Sequence, residues 1–377
     1  MYQYAFVLGH EPDLSYIEIQ SIARVFFGHE TPDLTRHKHI AILTTTEEID
    51  APAWMQRLGG TQKILKAISI THDTNPLISI TKHLQEVQPE GKLVFSISGD
   101  DAKGRAKEIK KRLKNIGRSV RYVEPKNAAT VEHNRLVEKQ GDIVISHGCV
   151  WYTVALQPFE AFADRDYGRP MADSKRGMLP PKLARMMINI AGLKVTASLY
   201  DPFCGLATVL SEGYTLGYSS LIGSDIDPKA IAQAKENIQW IIQKEGRAIT
   251  PHLFTHDATI HTPLPPTSVD AIITEPFLGK PIRGYEDIAT IKTSARGLQA
   301  LYTKSFTAFA QALKQNAIVV FIFPSFICDG EVVTTISVRD IENLGYRHIP
   351  FSPTLPFLRY HRETQYIARD IYQFRKL

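Results

Sequence analysis

The sequence is poor in cysteine and has no long apolar run. Its 377 residues include three cysteines, Cys149, Cys204 and Cys328, which lie far apart and form no CxxC pair. This spacing argues against a structural zinc site or a disulfide framework and suits a reducing cytoplasm. No apolar stretch approaches the ~20 residues that span a bilayer, and the start lacks the basic region and cleavage site of a secretory signal. We therefore expect a cytoplasmic protein with no membrane anchor.

What the sequence does contain is ordinary globular composition with one basic segment. Hydrophobic residues make up 44% and charged residues 22%, and the length predicts two or three domains. The net charge is only +5, yet residues 101–126 hold ten Lys or Arg against three acids. This segment is either a solvated helix face or a patch that contacts phosphates. The candidate RNA-binding residues are Lys103, Arg105, Lys107, Lys110, Lys111, Arg112, Lys114, Arg118 and Arg121.

The order of apolar patterns divides the chain into four segments. Residues 1–73 alternate short strands and helices as βαββαβ, which predicts a ferredoxin-like unit. Residues 74–158 form a second α/β segment that contains the basic helix. Residues 159–181 are rich in Gly, Pro and charge and are predicted to be a linker or functional loop. Residues 182–377 show strand–helix alternation, which predicts a Rossmann-like, doubly wound and largely parallel sheet.

The stretch SLYDPFCGLATVLSEGY, residues 198–214, passes from an apolar strand through a turn into a helix. In a doubly wound sheet, ligands bind at the carboxyl ends of such strands. Gly205 lets the backbone approach a bound group, and the amides that begin the helix are unpaired donors. Asp225 ends the next strand about twenty residues later, where an acid suits ribose hydroxyls, and Asp257 follows a third strand. These residues predict a nucleoside pocket.

The residues of the same turn indicate which nucleoside it binds. It lacks GxGxxG and begins with Asp201, whose charge repels a pyrophosphate and attracts an ammonium, so S-adenosylmethionine fits better than NAD. We interpret Cys204 as a packed thiol rather than a nucleophile, because methyl transfer to an amine needs no covalent step. His252, His256 and His261 share no helix face and lack a carboxylate partner, so we predict no metal site.

Two motifs, DPFCG.AT and GSDIDPKAI, resemble the cofactor-binding motifs of class I methyltransferases. Nearly the whole chain is similar to the THUMP-containing tRNA guanine-N2 methyltransferases that modify guanosine 10, and RDYGRPMADSKRGMLPPKLARMMINIAG resembles the segment they place before the cofactor strand. The resemblance implies S-adenosylmethionine as cofactor and tRNA as partner. It implies that Asp201, Phe203, Gly205 and Thr208 contact the methionine side of the cofactor, and that Asp225 with Ile226 contacts the ribose. It also implies that Asp257 and Ala258 contact the adenine, and that Met178, Leu179 and Pro180 cover the cofactor from the preceding loop.

Two local features of this region are left open by the sequence. Relatives usually have a second glycine where this chain has Ala207, and alanine suits that position only with a negative φ. Arg165, Asp166, Arg169 and Asp173 form either a surface ion-pair cluster or a group that closes over the site, and the resemblance favours the second interpretation.

The fourth strand ends in AIITEPFLGKP, at the place where methyltransferases of exocyclic amines resemble one another in Asp or Asn, Pro-Pro and an aromatic. An acceptor beside the amine hydrogens keeps electron density on nitrogen, and an aromatic side chain stacks the base. Aligned from the glycine, Glu275 replaces Asp, and Pro276 and Phe277 follow. Aligned on the aromatic, Thr274 takes the acid's place. We prefer the first alignment; the alternative role for Glu275 is a solvated residue at a strand end.

Three functional hypotheses follow from these patterns. The leading one is a tRNA methyltransferase acting on guanine N2, expected to be a monomer, with a small activating protein partner of the kind some relatives use left open. The second is a methyltransferase-fold RNA-binding protein with impaired catalysis. The third is a DNA amino-methyltransferase, although the chain shows no target-recognition domain.

Overall fold

The computed structural model describes residues 1–28, 33–68, 75–99, 101–172, 178–282, 284–328, 331–362 and 365–377. Its helices, in chain order α1 to α11, are Pro12–Phe27, Ala51–Arg57, Pro76–Val87, Ala102–Asn115, Ala128–His133, Phe159–Tyr167, Pro181–Ile190, Thr208–Leu216, Pro228–Glu245, Ile288–Ala312 and Val338–Glu342. Its strands, β1 to β17, are Tyr2–Leu8, Asp33–His37, Ile40–Thr45, Thr61–Ala67, Leu93–Gly99, Val120–Tyr122, Asp142–Ser146, Cys149–Leu156, Ser198–Asp201, Ser220–Asp225, His252–Thr255, Val269–Thr274, Leu313–Cys328, Glu331–Thr334, Tyr346–His348, Leu358–Tyr360 and Ile367–Lys376.

Contacts between residues divide the chain into two compact units. The first comprises Met1–Pro12 with His29–Pro158, and the second comprises Asp13–Gly28 with Phe159–Leu377. Helix α1 therefore belongs to the second unit. The sequence pattern instead predicts it as part of the ferredoxin-like unit of residues 1–73. The apolar side chains of Leu14 and Ile17 on α1 share a core with α7 and α8. The separate domains 1–73 and 74–158 stay a prediction.

The first unit is built on one mixed sheet. Among the described residues its strand order is β2-β3-β1-β4-β8-β7-β5-β6. The pairs β2–β3, β3–β1 and β1–β4 are antiparallel, which is the order of a ferredoxin-like βαββαβ unit and confirms that prediction. Strand β4 then pairs with β8, so the hydrogen-bonded ladder continues into the segment that carries the basic helix.

The second unit is the predicted doubly wound sheet. Its main strand order among the described residues is β11-β10-β9-β12-β13-β17-β15. The first five strands run parallel, and β17 is antiparallel to both neighbours. The chain moves outward from β9 through β10 to β11 and then returns to β12 on the other side of β9. The carboxyl ends of β9 and β12 therefore flank the switch point where such sheets bind ligands.

Apolar side chains cover both faces of this sheet. One cluster packs α7, α8 and α9 against β9, β12 and β13, and a second packs α10 against the opposite face. Gly223 on β10 makes the first packing possible, since a Cβ there would lie 2.5 Å from Leu210 and 3.1 Å from Cys204. The turn after β9 is thereby drawn close to the sheet. None of the helices described in the structure is long and apolar enough to cross a bilayer.

Candidate active site

A cavity of about 720 Å³ opens at the carboxyl ends of β9, β10, β11 and β12. Its volume lies in the range of cofactor and ligand pockets. The predicted site residues that line it are Met178, Leu179, Asp201, Phe203, Gly205, Thr208, Asp225, Ile226, Asp257, Ala258, Glu275, Pro276 and Phe277. Pro180 lies outside this lining and instead precedes α7 as its N-cap residue.

The turn after β9 is shaped by hydrogen bonds to Asp225. The Gly205 amide donates to Asp225 Oδ2 over 3.0 Å, and the Asp227 amide donates to Asp225 Oδ1 over 2.9 Å. Gly205 has φ +50°, and a Cβ on it would meet no atom within 4 Å. The open space over this glycine leaves room for a ligand against the backbone, and the carboxylate of Asp225 fixes the turn around it.

Asp201 is a buried carboxylate at the start of the same turn. Its Oδ1 accepts hydrogen bonds from Thr274 Oγ1 over 2.6 Å and from the Phe203 amide over 3.1 Å. Burial, with a smaller contribution from the negative charges of Asp225 and Glu275, raises the pKa of Asp201 from 3.8 to about 7. A carboxylate in this setting gains most from a cationic ligand, because an opposite charge offsets its desolvation.

Ala207 adopts a left-handed backbone, with φ +65° and ψ +36°, immediately before α8. The condition under which alanine would suit this position, a negative φ, is therefore not met. The turn imposes the left-handed conformation, because the Ala207 amide donates to the Cys204 carbonyl and its own carbonyl accepts the Ser211 amide of α8. Alanine therefore carries strain at a position that glycine would fill freely.

Replacing Ala207 by glycine is expected to raise the free energy of unfolding by about 0.5–1 kcal/mol, because the relief of strain exceeds the entropy that glycine adds to the unfolded chain. Urea denaturation measures this difference. The matched control is Ala234→Gly in the buried middle of α9, where a helical alanine is lost and stability falls by about 1 kcal/mol. Equal losses in both variants would contradict the strain at Ala207.

The adenine side predicted from the sequence is less enclosed. Asp257 Oδ1 accepts the amide and the hydroxyl of Thr259 over 2.9 and 2.8 Å, and these bonds lower the pKa of Asp257. Ala258 is buried, whereas Ile226 is exposed at the rim. The cavity is thus lined here by an ionised carboxylate and by two apolar side chains, which suits a flat base with an exocyclic amine.

Buried charged side chains hold the segment that precedes β9. The sequence pattern left the burial of these side chains open. Arg165 and Arg185 donate to the two oxygens of Glu212 on α8 over 2.5 and 2.7 Å, and all three side chains are buried. The alternative of a surface ion-pair cluster is therefore wrong for Arg165 and for Arg169, which is also buried. Asp173 lies outside the described residues. Nothing in the sequence pattern had pointed to Glu212, which sits on the inner face of the cofactor-side helix.

Glu275 at the end of β12 is ion-paired. Its Oε1 accepts from Arg369 Nε over 2.5 Å, and both side chains are largely buried. Burial raises the pKa of Glu275, and the charge and hydrogen bond of Arg369 oppose that rise. Arg369 belongs to β17, 94 residues further along the chain. The interpretation of Glu275 as a solvated strand-end residue is wrong, since this carboxylate faces the cavity in a fixed position.

Phe277 supplies an exposed aromatic ring beside this carboxylate. It is 57% exposed although it lines the cavity, and its backbone carbonyl accepts the Tyr302 hydroxyl over 2.8 Å. A ring anchored through its backbone and left open on its face is suited to stacking a planar group. Cys204 is buried, and burial raises the pKa of its thiol well above the usual range, so it stays protonated.

The predicted RNA-binding residues lie in the first unit and are not among the residues that line the cavity. The solvent-facing side of α4 carries most of them, because Ala106, Ile109 and Leu113 are its buried residues. Three of the nine are engaged within the protein: Lys103 pairs with Glu124 at 3.5 Å, Arg118 donates to the Gln88 carbonyl over 2.5 Å, and Arg121 donates to Asn134 over 3.0 Å.

Comparisons with known proteins agree with this architecture. Residues 169–347 match the model of the RMKL-like methyltransferase domain. The matched residues lie within the second unit. This domain has the class I methyltransferase fold, and its methyl donor is S-adenosylmethionine. The crystal structure of TrmN from Thermus thermophilus is similar over 100% of both chains with a TM-score of 0.53 and 15% identity, a likeness of fold.

Two curated relatives match parts of the chain. The tRNA (guanine(10)-N2)-dimethyltransferase of Methanothermobacter thermautotrophicus is 33% identical over 103 residues, which cover 27% of this chain. The enzyme of the same name from Methanocaldococcus jannaschii is 29% identical over 158 residues, or 40% of this chain. The matched segments span 28% and 39% of the lengths of these relatives.

The residues present fit the methyl donor of the domain. The open face of Gly205 leaves a cradle that a Cβ would fill, and buried Asp201 gains from the donor's ammonium group. Asp225, at the end of β10, lines the same cavity and would accept hydrogen bonds from the ribose hydroxyls of a bound nucleoside. Among the described residues, no three His, Cys, Asp or Glu side chains are grouped so as to hold a metal ion.

Proposed function

We propose that this protein is an S-adenosylmethionine-dependent tRNA methyltransferase that methylates an exocyclic amine, guanine N2. The observation that carries the proposal is the placement of Glu275 and Phe277 in the same cavity as the Asp201–Ala207 turn. The names of the two curated relatives, both tRNA (guanine(10)-N2)-dimethyltransferases, support this substrate class.

The site supports a direct transfer to nitrogen. When bound, S-adenosylmethionine would supply an electrophilic methyl group on a sulfonium, with the neutral thioether as the leaving group on transfer to the amine nitrogen. Glu275 accepts a hydrogen bond from the amine, so that electron density stays on nitrogen, and its carboxylate takes the proton that the methylated nitrogen releases. Phe277 stacks the base and aligns it with the methyl group, which contributes ~1–3 kcal/mol of binding per stacked base.

The decisive experiment is mass spectrometry of nucleosides from unmodified tRNA after reaction with the purified protein and labelled cofactor. We expect label in N2-methylguanosine or N2,N2-dimethylguanosine. Label in a different nucleoside would move the target atom while leaving methyl transfer intact. Cofactor binding with no label in any RNA would favour the alternative of an RNA-binding protein with impaired catalysis.

The basic helix α4 provides the second part of the proposal, a grip on tRNA phosphates. At 100° per residue, the lysines at 103, 107, 110, 111 and 114 fall on one flank of α4, and Arg105, Glu108 and Arg112 fall on the other. The lysine flank is unbroken by an acid and spans about 16 Å, since α4 rises 1.5 Å per residue. Lysines so arranged contact successive phosphates without reading sequence.

Reversing charge on the lysine flank is expected to weaken tRNA binding by at least about tenfold at low salt and to reduce the salt slope by about 1–2. The variant is Lys107→Glu with Lys114→Glu. The matched control, Arg105→Glu with Arg112→Glu, changes the same charge at the same spacing on the other flank. Filter binding across a salt series measures both, and an equal loss in the control would refute the choice of flank.

The remaining expectations belong to the same proposal. A tRNA substrate implies a cytoplasmic enzyme, and we propose that it acts as a monomer. Some methyltransferases of this class use a small activating protein, and an increase of methylation rate on adding cell extract to the purified chain would reveal one here.

A further inference from the structure

Arg169 is a buried guanidinium directly behind the wall of the cofactor cavity. Its side chain is 7% exposed. One terminal nitrogen donates to Thr208 Oγ1 over 2.8 Å and the other contacts Met178 Sδ at 3.0 Å. Thr208 and Met178 both line the cavity. The Nε of Arg169 has no hydrogen-bond partner among the described residues.

Among the residues that the structure describes, the neighbouring acids leave the charge of Arg169 uncompensated. Glu212, the nearest buried carboxylate on α8, already binds Arg165 and Arg185 with its two oxygens. Asp166 and Glu212 act on Arg169 only at longer range, and within the described ranges it forms no ion pair. Burial accordingly lowers the pKa of Arg169. A buried cation without a counter-charge is costly, which indicates that an anion completes the site.

The position of Arg169 identifies the anion. Thr208 is the first residue of α8, where the helix amides point outward and favour negative charge. Asp201, at the other end of the same turn, suits an ammonium. The cofactor carries both groups on one carbon.

We propose that Arg169 is the positioning residue for the α-carboxylate of S-adenosylmethionine, which it holds through Thr208 at the N-terminus of α8. This inference rests on the cofactor assigned above. Asp201 and Arg169 then recognise the two charges of the amino acid end from opposite sides. Because the contact with Met178 joins the covering segment to this residue, the same guanidinium links the carboxylate site to the segment before α7.

The test is calorimetric binding, which needs no turnover. Arg169→Gln is expected to weaken binding of S-adenosylhomocysteine by about 10–100-fold, the range for a hydrogen bond to a charged group. Binding of 5′-methylthioadenosine, which lacks the amino acid end, should change less than about threefold. Arg169→Lys should recover part of the loss. Lys235→Gln, an exposed residue of α9, controls for net charge.

A second ligand pair separates the carboxylate from the ammonium. The wild-type protein should prefer S-adenosylmethionine over its decarboxylated form, and Arg169→Gln should lose that preference. Equal losses for S-adenosylhomocysteine and 5′-methylthioadenosine would reveal a merely structural role and overturn the inference, as would unchanged binding of both. If the wild-type protein bound none of these nucleosides, the cofactor assignment would fail first and the inference with it.

Discussion

Replacing Glu275 by Gln is expected to slow methyl transfer by about 10²–10³-fold, the usual loss when a placed hydrogen-bond partner of the reacting group is removed. Gln keeps the size of the side chain and an oxygen for Arg369 Nε, so the strand end should keep its shape. The negative charge that strengthens the hydrogen bond from the amine is lost. Single-turnover methylation of tRNA measures the rate, and calorimetry should show unchanged cofactor affinity.

The partner of Glu275 provides the control for this result. Burial raises the pKa of Glu275 and Arg369 opposes that rise, so Arg369→Gln should raise it further. The acceptor is needed ionised, so the rate falls as pH drops through this pKa, and the acid limb of the profile should move to higher pH in Arg369→Gln. A Glu275→Gln enzyme with full activity, or an acid limb that does not move, would refute the role of the carboxylate. Because Arg369→Gln breaks a buried pair, thermal unfolding must accompany the assay.

Cofactor affinity is expected to depend on the ionisation of Asp201. Its pKa of about 7 means that the carboxylate is largely protonated at pH 6 and largely charged at pH 8. Binding of S-adenosylmethionine should therefore weaken by about tenfold as pH falls through this range, since a charge-assisted hydrogen bond is lost. Asp201→Asn should bind about 10–100-fold more weakly at pH 8 and show little pH dependence. Calorimetry with 5′-methylthioadenosine, which lacks the ammonium, should be insensitive to both changes.

The same pKa predicts the sign of a stability change without ligand. Because the pKa of Asp201 is higher in the folded chain than its ordinary 3.8, the native state holds more protons between about pH 4 and 7. Stability conferred by protonated Asp201 is thus present at low pH and is lost as pH rises, by about 1.4 kcal/mol per unit of pKa separation. Asp201→Asn should remove this slope in urea denaturation. A slope that persists in the variant would assign it to another group.

The fold of the second unit could be predicted from the sequence because the patterns that indicate it are local. Strand–helix alternation after residue 182 predicts parallel strands, and the turn at Asp201 with Asp225 one strand later predicts a nucleoside pocket at their carboxyl ends. The structure has five parallel strands in that order and a cavity at the switch point. These features depend on residues close together in the chain.

The charged contacts within the site could not be predicted from the sequence, because the residues that form them come from segments far apart in the chain. Arg369 meets Glu275 only through the antiparallel pairing of β17 with β13, whose register no local pattern encodes. Arg169 was noted as one of several charges, but its burial behind Thr208 depends on how α6 and α7 pack on α8. The φ of Ala207 depends on hydrogen bonds on both sides of the turn.

The sequence by itself determined the ferredoxin-like strand order, the methyltransferase sheet and the turn that lines the cavity. It did not predict helix α6, which lies within residues 159–181, a segment expected to be a linker or loop. Tertiary structure alone decided that α1 packs with the catalytic unit, that Glu275 is held by Arg369, and that Arg169 lies buried without a carboxylate partner among the described residues. The physical reason is range: periodicity and turn chemistry act over a few residues, whereas burial and charge pairing depend on segments that meet only in the folded chain.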